Sequence, residues 1–96
     1  MTAVRRLVID VLKPHDPPLV EFTRRVSETD GVEGVTSTLI ELDKEVQNVK
    51  LTFEGGALDA DAIEATVEEL GATVHSVDEV ACGERVVEDR PTLQDG

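Results

Sequence analysis

Residues Val32 to Glu54, VEGVTSTLIELDKEVQNVKLTFE, decide the fold. The second half, Glu45–Glu54, alternates strictly, with Val49, Leu51 and Phe53 facing inward and Asn48, Lys50, Thr52 and Glu54 outward. A period of two is the mark of a strand covered on one side. The first half, Val32–Asp43, is long and extended, with Val35 and Leu39 on one side and Thr36, Thr38, Ile40 and Leu42 on the other. Asp43-Lys44 marks a hairpin tip, although it lacks the favoured glycine. Gly55-Gly56 is expected to end the second strand.

Outward from this hairpin, each flank reads as one helix and one strand. Upstream, Arg5–Leu12 (RRLVIDVL) is strand-like, with Leu7, Ile9 and Val11 on one face and Val8, Asp10 and Leu12 on the other. Lys13-Pro14-His15-Asp16-Pro17-Pro18 breaks it, Asp16 reading as an N-cap and Pro17 as the first helical residue. Leu19, Phe22 and Val26 then form a helical stripe, with Glu21–Arg25 and Arg24–Glu28 at i,i+4 on its wet side and Gly31 as C-terminal cap. Downstream, Asp59–Leu70 turns Ile63, Val67 and Leu70 inward, Asp61 and Glu64 have capping-box spacing, and Gly71 ends the helix. Ala72–Ala81 is the last strand. The order is β-α-β-β-α-β. Right-handed crossovers give an α+β, ferredoxin-like sandwich: a four-stranded antiparallel sheet of order 4-1-3-2 with both helices on one face. Residues 1–83 make the domain and residues 84–96 an acidic polar tail.

Composition narrows the function. The chain has 96 residues, 9 Lys+Arg against 21 Asp+Glu, a net charge of −12, and Phe22 and Phe53 as its only aromatics. Phosphate-rich partners need clustered cations, so nucleic acid and anionic membrane are disfavoured. No apolar run approaches a membrane span. Cys82 is the single cysteine, which excludes an intrachain disulfide and suits a cytoplasmic protein. Charge this lopsided repels itself in dilute buffer, and salt screens the repulsion. The expectation is a halophilic setting such as the salty cytoplasm of a halophilic archaeon.

Chemistry is sparse. The strands lack the stacking aromatics of an RNA-recognition domain. The first loop lacks the paired thiolates of a metal chaperone. No Gly-rich phosphate loop and no H-E-x-x-H motif occur, and Cys82 reads as a buried or semi-buried apolar residue. Ser76 is next to His75, but strand neighbours point to opposite faces. Three ligand ideas remain. His15, before a helix N-terminus and assisted by Lys13, could hold a small anion. His75 and Ser76 are ligand-binding candidates on the last strand. Asp10, with Asp78 and Glu79 on the neighbouring strand, could hold Ca²⁺ or Mg²⁺. The uncovered sheet face, carrying Val8, Leu12, Ile40 and Leu42, looks too aliphatic for a monomer, and both edge strands are open.

The segment RRLVIDVLKPH (Arg5–His15), the hairpin strand Asn48–Thr52, and HSVDEV (His75–Val80) followed by Gly83 together resemble an archaeal family known as domain of unknown function 211. The likeness covers about residues 4–83, with Glu84–Gly96 outside it. It implies a ferredoxin-like fold, archaeal origin and ring-shaped oligomers, and it implies no activity. Asp10, Lys13, Pro14, His15, His75, Ser76, Asp78 and Glu79 fall on its motif positions. The resulting expectation is a non-enzymatic, ring-forming homo-oligomer with a small anion or divalent cation at its subunit seams. The alternatives are a small enzyme using His15 or His75 as general acid/base, or a purely structural assembly subunit.

Overall fold

The computed structural model describes residues 2–88. Its elements are β1 (Val4–Pro14), α1 (Leu19–Ser27), β2 (Gly34–Leu42), β3 (Val46–Leu58), α2 (Ala60–Glu69) and β4 (Thr73–Cys82). The strands form one antiparallel sheet ordered β2-β3-β1-β4, which is 4-1-3-2 counted from the other edge. The alternation read from the sequence sets the core. Leu7, Ile9 and Val11 of β1 and Val49, Leu51 and Phe53 of β3 meet Phe22 and Val26 of α1 and Ile63 and Val67 of α2 in one buried cluster. Helix α1 packs on the β2 side and α2 on the β4 side. The Thr23 hydroxyl donates to Ser37 Oγ at 2.6 Å and the Thr29 hydroxyl to Thr66 Oγ1 at 3.1 Å, tying α1 to β2 and to α2.

The element ends depart from the sequence reading for local reasons. Pro18, not Asp16, is the N-cap of α1, at φ −62 and ψ 158. A residue before proline is pushed out of the α region, so Pro17 cannot begin a helix ahead of Pro18. Asp59, not Asp61, caps α2, accepting from the Ala62 backbone N–H at 3.2 Å. The far end of α2 is a Schellman motif: Gly71, at φ 91, donates to the Glu68 carbonyl, and Ala72 donates to that of Val67. Gly31 does not cap α1, whose C-cap is Glu28. It sits instead where the chain crosses β3, and a Cβ on it would stand 2.6 Å from the Ala57 carbonyl oxygen. Gly55-Gly56 does not end β3 either; the strand runs through both residues to Leu58. Cys82 is exposed rather than semi-buried. The tail expected over residues 84–96 lies partly outside the described residues, which stop short of residues 89–96. Glu84–Glu88 carry no helix or strand.

The uncovered face is more polar than expected. Across it β1 shows Arg6, Val8, Asp10 and Leu12, and β3 shows Glu54, Thr52, Lys50 and Asn48 opposite them. Val8 is only 5% exposed and Leu12 is half-buried. A register shift between Leu39 and Glu41 leaves Ile40 unpaired, puts Glu41 opposite Asn48, and turns Leu42 toward the helix side, opposite Gln47. One bulge thus reverses the expected outward position of Leu42. Most of the large exposed aliphatic side chains lie instead along the two sheet edges, Leu39, Ile40 and Leu42 on β2 and Val77 and Val80 on β4; the others are Val20 on α1 and Val87 beyond β4.

Candidate functional site

At the hairpin end of the sheet, Lys13 is the surprise. It belongs to β1, continues the Leu7, Ile9, Val11 alternation, and is wholly buried. Its ammonium lies 5.6 Å from the Phe22 ring centroid and donates to the Pro14 carbonyl at 2.8 Å and to Gln47 Oε1 at 3.1 Å. This partly compensates the loss of water. A buried ammonium cannot serve as a surface anion ligand, so the pairing of Lys13 with His15 is not formed. His15 is exposed, and its Nε2 lies 3.0 Å from the Asp43 carbonyl oxygen, bracing the β1–α1 loop against the β2–β3 turn. A carbonyl only accepts, so Nε2 carries the proton in this contact.

Burial lowers the Lys13 pKa below its ordinary 10.5, against the opposing pull of Asp16. The folded chain therefore holds fewer protons at this site than the unfolded chain between the lowered pKa and 10.5, and stability rises with pH across that interval. Below the lowered pKa the cost of burying the charge is present in full. Lys13→Met keeps the volume and removes the charge. Denaturant titrations should find wild type gaining on this variant as pH climbs toward 10.5. Parallel pH curves would contradict the burial.

On the open face, two β4 bulges shape the rest. Pairing with β1 skips Asp78 between Val8↔Glu79 and Ile9↔Val77, and skips His75 between Asp10↔Ser76 and Val11↔Val74. The simple alternation that separates His75 from Ser76 therefore does not hold here. Even so, the Ser76 hydroxyl donates to Asp78 Oδ1 at 2.8 Å and makes no hydrogen bond to His75 among the described residues. Asp10 stands between Lys50 and Ser76, with one carboxylate oxygen shielded and without a hydrogen-bond partner. Glu79 lies 3.6 Å from Arg6 Nε. The fold thus brings Asp10, Ser76, Asp78 and Glu79 to one face. Among the described residues, however, no three His, Cys, Asp or Glu side chains converge to hold a metal, so the Asp10–Asp78–Glu79 set does not close within one chain.

Sequence reading missed Arg6. It shares the open face with Asp10 and gathers Glu54 and Glu79, each at 3.6 Å, and Glu88 at 3.0 Å. Its parity with Val8 and Asp10 was the available signal. Its long-range partner Glu88 was not legible, because that residue lies beyond the last strand.

Comparison with known proteins agrees with this architecture. The family model for domain of unknown function 211, described as "Uncharacterized ArCR", matches residues 5–96, so the match runs through the tail that the motif resemblance left outside. An uncharacterized protein of Methanocaldococcus jannaschii is 43% identical over 95 residues, covering 99% of this chain and 98% of that protein. No helix among the described residues is long and apolar enough to cross a membrane. On its sequence match and its α+β fold, the chain belongs to the family of domain of unknown function 211.

Proposed function

We propose that this is a non-enzymatic, cytoplasmic module whose working form is a ring-shaped homo-oligomer assembled through its sheet edges. The carrying observation is the position of its exposed aliphatic surface. Ile40 and Leu42 on β2 are 56% and 62% exposed, Val77 and Val80 on β4 are 57% and 52% exposed, and both strands are sheet edges. Covering the rest of one such side chain contributes on the order of 1 kcal/mol. Unpaired strand groups add about 0.5–1.5 kcal/mol per hydrogen bond formed. The open face offers no comparable drive, since its aliphatic residues Val8 and Leu12 are already largely covered. Ser76 donates to Asp78 and His15 meets a backbone carbonyl, so among the described residues neither histidine is hydrogen-bonded to a hydroxyl or thiol, which favours binding or assembly over histidine-based catalysis. The carboxylates of Asp78 and Glu79 lie on an edge strand, where a Ca²⁺ or Mg²⁺ ion would need oxygens from a second copy to fill its shell.

Lysine at an edge tests this reading. Val77→Lys or Ile40→Lys should weaken assembly at least about tenfold and shift the light-scattering mass toward 10.4 kDa. Thr52→Lys, at the centre of the open face, should leave the mass unchanged. The reverse pattern would move the interface to the open face. Mass measured with Ca²⁺ or Mg²⁺ and again with a chelator tests the shared-ion element separately.

A further inference from the structure

We propose that the open face binds an α,ω-diamine of about four carbons. One ammonium sits among Glu41, Asp43 and Asn48, the chain lies along Leu12, and the second ammonium meets Asp10. These residues all belong to one chain, so the site does not depend on assembly.

The site begins at the β2 bulge. By leaving Ile40 unpaired, β2 sets Glu41 beside Asn48, and Asn48 stands opposite Leu12 of β1. Re-aiming a side chain is what a bulge does. Leu12, Glu41, Asp43, Val46 and Asn48 line a hollow of about 120 Å³. Asp43 is held there on three sides. Its N–H donates to the Val46 carbonyl at 3.0 Å, its Oδ1 accepts from the Lys44 N–H at 2.7 Å, and its carbonyl accepts from His15 at 3.0 Å. Asn48 Oδ1 is shielded and has no hydrogen-bond partner among the described residues. The same is true of Asp10 Oδ1, two residues before Leu12 on the same face.

The two orphaned atoms are both acceptors, and Glu41 and Asp43 add negative charge. The occupant must therefore bring N–H donors and positive charge. Among the described residues Asp10, Glu41 and Asp43 make no ion pair, not even Asp10 with Lys50 directly opposite. A bare ion fits poorly. Ca²⁺ takes about 6–8 oxygens, whereas Leu12 and Val46 make part of the wall carbon. No three His, Cys, Asp or Glu side chains converge among the described residues. Shielded acceptors beside an alkyl wall suit an ammonium carried on an alkyl chain.

Size sets that chain. A cavity of about 150 Å³ holds benzene, so this hollow takes on the order of five heavy atoms, one nitrogen and four carbons. Asp10 pairs with Lys50 and Leu12 with Asn48, which makes Asp10 and Asn48 diagonal neighbours. Such residues lie about 7–8 Å apart. A four-carbon chain carries its second nitrogen across that gap.

Calorimetric titration of the full chain with 1,4-diaminobutane, 1-aminobutane and Mg²⁺ tests the site. The diamine should bind at least about tenfold more tightly than 1-aminobutane. Asp10→Asn keeps the shape and should remove that advantage while leaving 1-aminobutane unchanged, because only the second ammonium reaches Asp10. Glu41→Gln should weaken both amines. Glu69→Gln, on α2 away from the open face, should weaken neither, which separates a site from general attraction to an anionic chain. A diamine that does not bind, that binds no better than 1-aminobutane, or that ignores both Asp10→Asn and Glu41→Gln would overturn the site. Mg²⁺ that displaces the diamine and is itself lost in Glu41→Gln would make this an ion site and overturn the amine reading.

Discussion

Gly55→Ala is expected to cost at least about 3 kcal/mol, near the upper end of what a forced extra methyl does in a packed site. At roughly 4–8 °C per kcal/mol, the melting temperature should fall by more than about 10 °C. The cause is backbone against backbone. A Cβ at Gly55 would land on the Gly31 carbonyl oxygen and stand 3.0 Å from Leu58 Cδ2. Neither the strand at Gly55 nor the segment at Gly31 can retreat freely. Glu33 N–H donates to the Glu54 carbonyl at 2.9 Å, and Gly56 N–H donates to Glu33 Oε2 at 3.2 Å. Gly34→Ala is the internal control, for nothing lies within 4 Å of its added methyl. It should be neutral or stabilise by about 0.4–1 kcal/mol through the unfolded chain. Equal melting temperatures for the two variants would show that the crossing at Gly31 and Gly55 is loose.

The second large effect is salt. The net charge is −12, and the exposed side of α2 carries Asp59, Asp61, Glu64, Glu68 and Glu69, with no basic residue in its last turn. Glu68 and Glu69 lie at the negative end of the helix, each misplaced by about 0.3–1 kcal/mol at low ionic strength. The Glu64–Glu68 pair at i,i+4 adds about 0.2–0.5 kcal/mol of repulsion. Opposing this, Arg6 and Arg25 supply the ion pairs among the described residues, and exposed pairs contribute about 0–1 kcal/mol each. Their partners are mostly exposed, so salt weakens attraction and repulsion alike, and the excess of anions decides the sign. Raising KCl from ~0.1 to ~3 M should stabilise the chain by on the order of 2 kcal/mol, about 8–16 °C in melting temperature. Glu68→Lys with Glu69→Lys should raise the low-salt melting temperature and shrink the gain from salt. A melt that does not move with KCl would show that the acidity carries no stability cost and would remove the halophilic reading.

The contrast between Lys13 and His75 shows where sequence reading stops. Phe53, Leu51 and Val49 were placed inward by alternation alone, and the same alternation extended one step past Val11 turns Lys13 inward too. The prolines after Lys13 read as a breaker and hid that signal. His75, Asp78 and Ile40 were not legible in the same way. A bulge is a relation between two strands, and a single strand's sequence does not record which partner residue is skipped. The Gly55–Gly31 crossing is likewise a contact between segments far apart along the chain. Glycine is favoured wherever a turn or a close approach needs it, so Gly55-Gly56 read equally well as a strand end. The sheet order was recoverable, because β-α-β units with right-handed crossovers leave few arrangements. The polarity of the open face was not, since it depends on the Leu42 register and on how completely Thr52 and Glu79 flank Val8.

The proposed function depends on whether the edges of this small sheet are covered by further copies of the chain. Light-scattering mass of the full-length wild type in about 2 M KCl, where charge repulsion is screened, asks that question directly. The expected mass is a fixed multiple of the 10.4 kDa chain, unchanged on modest dilution as a closed ring requires. A mass of 10.4 kDa at every concentration would mean that β2 and β4 stay bare in solution, and the assembly reading would be wrong.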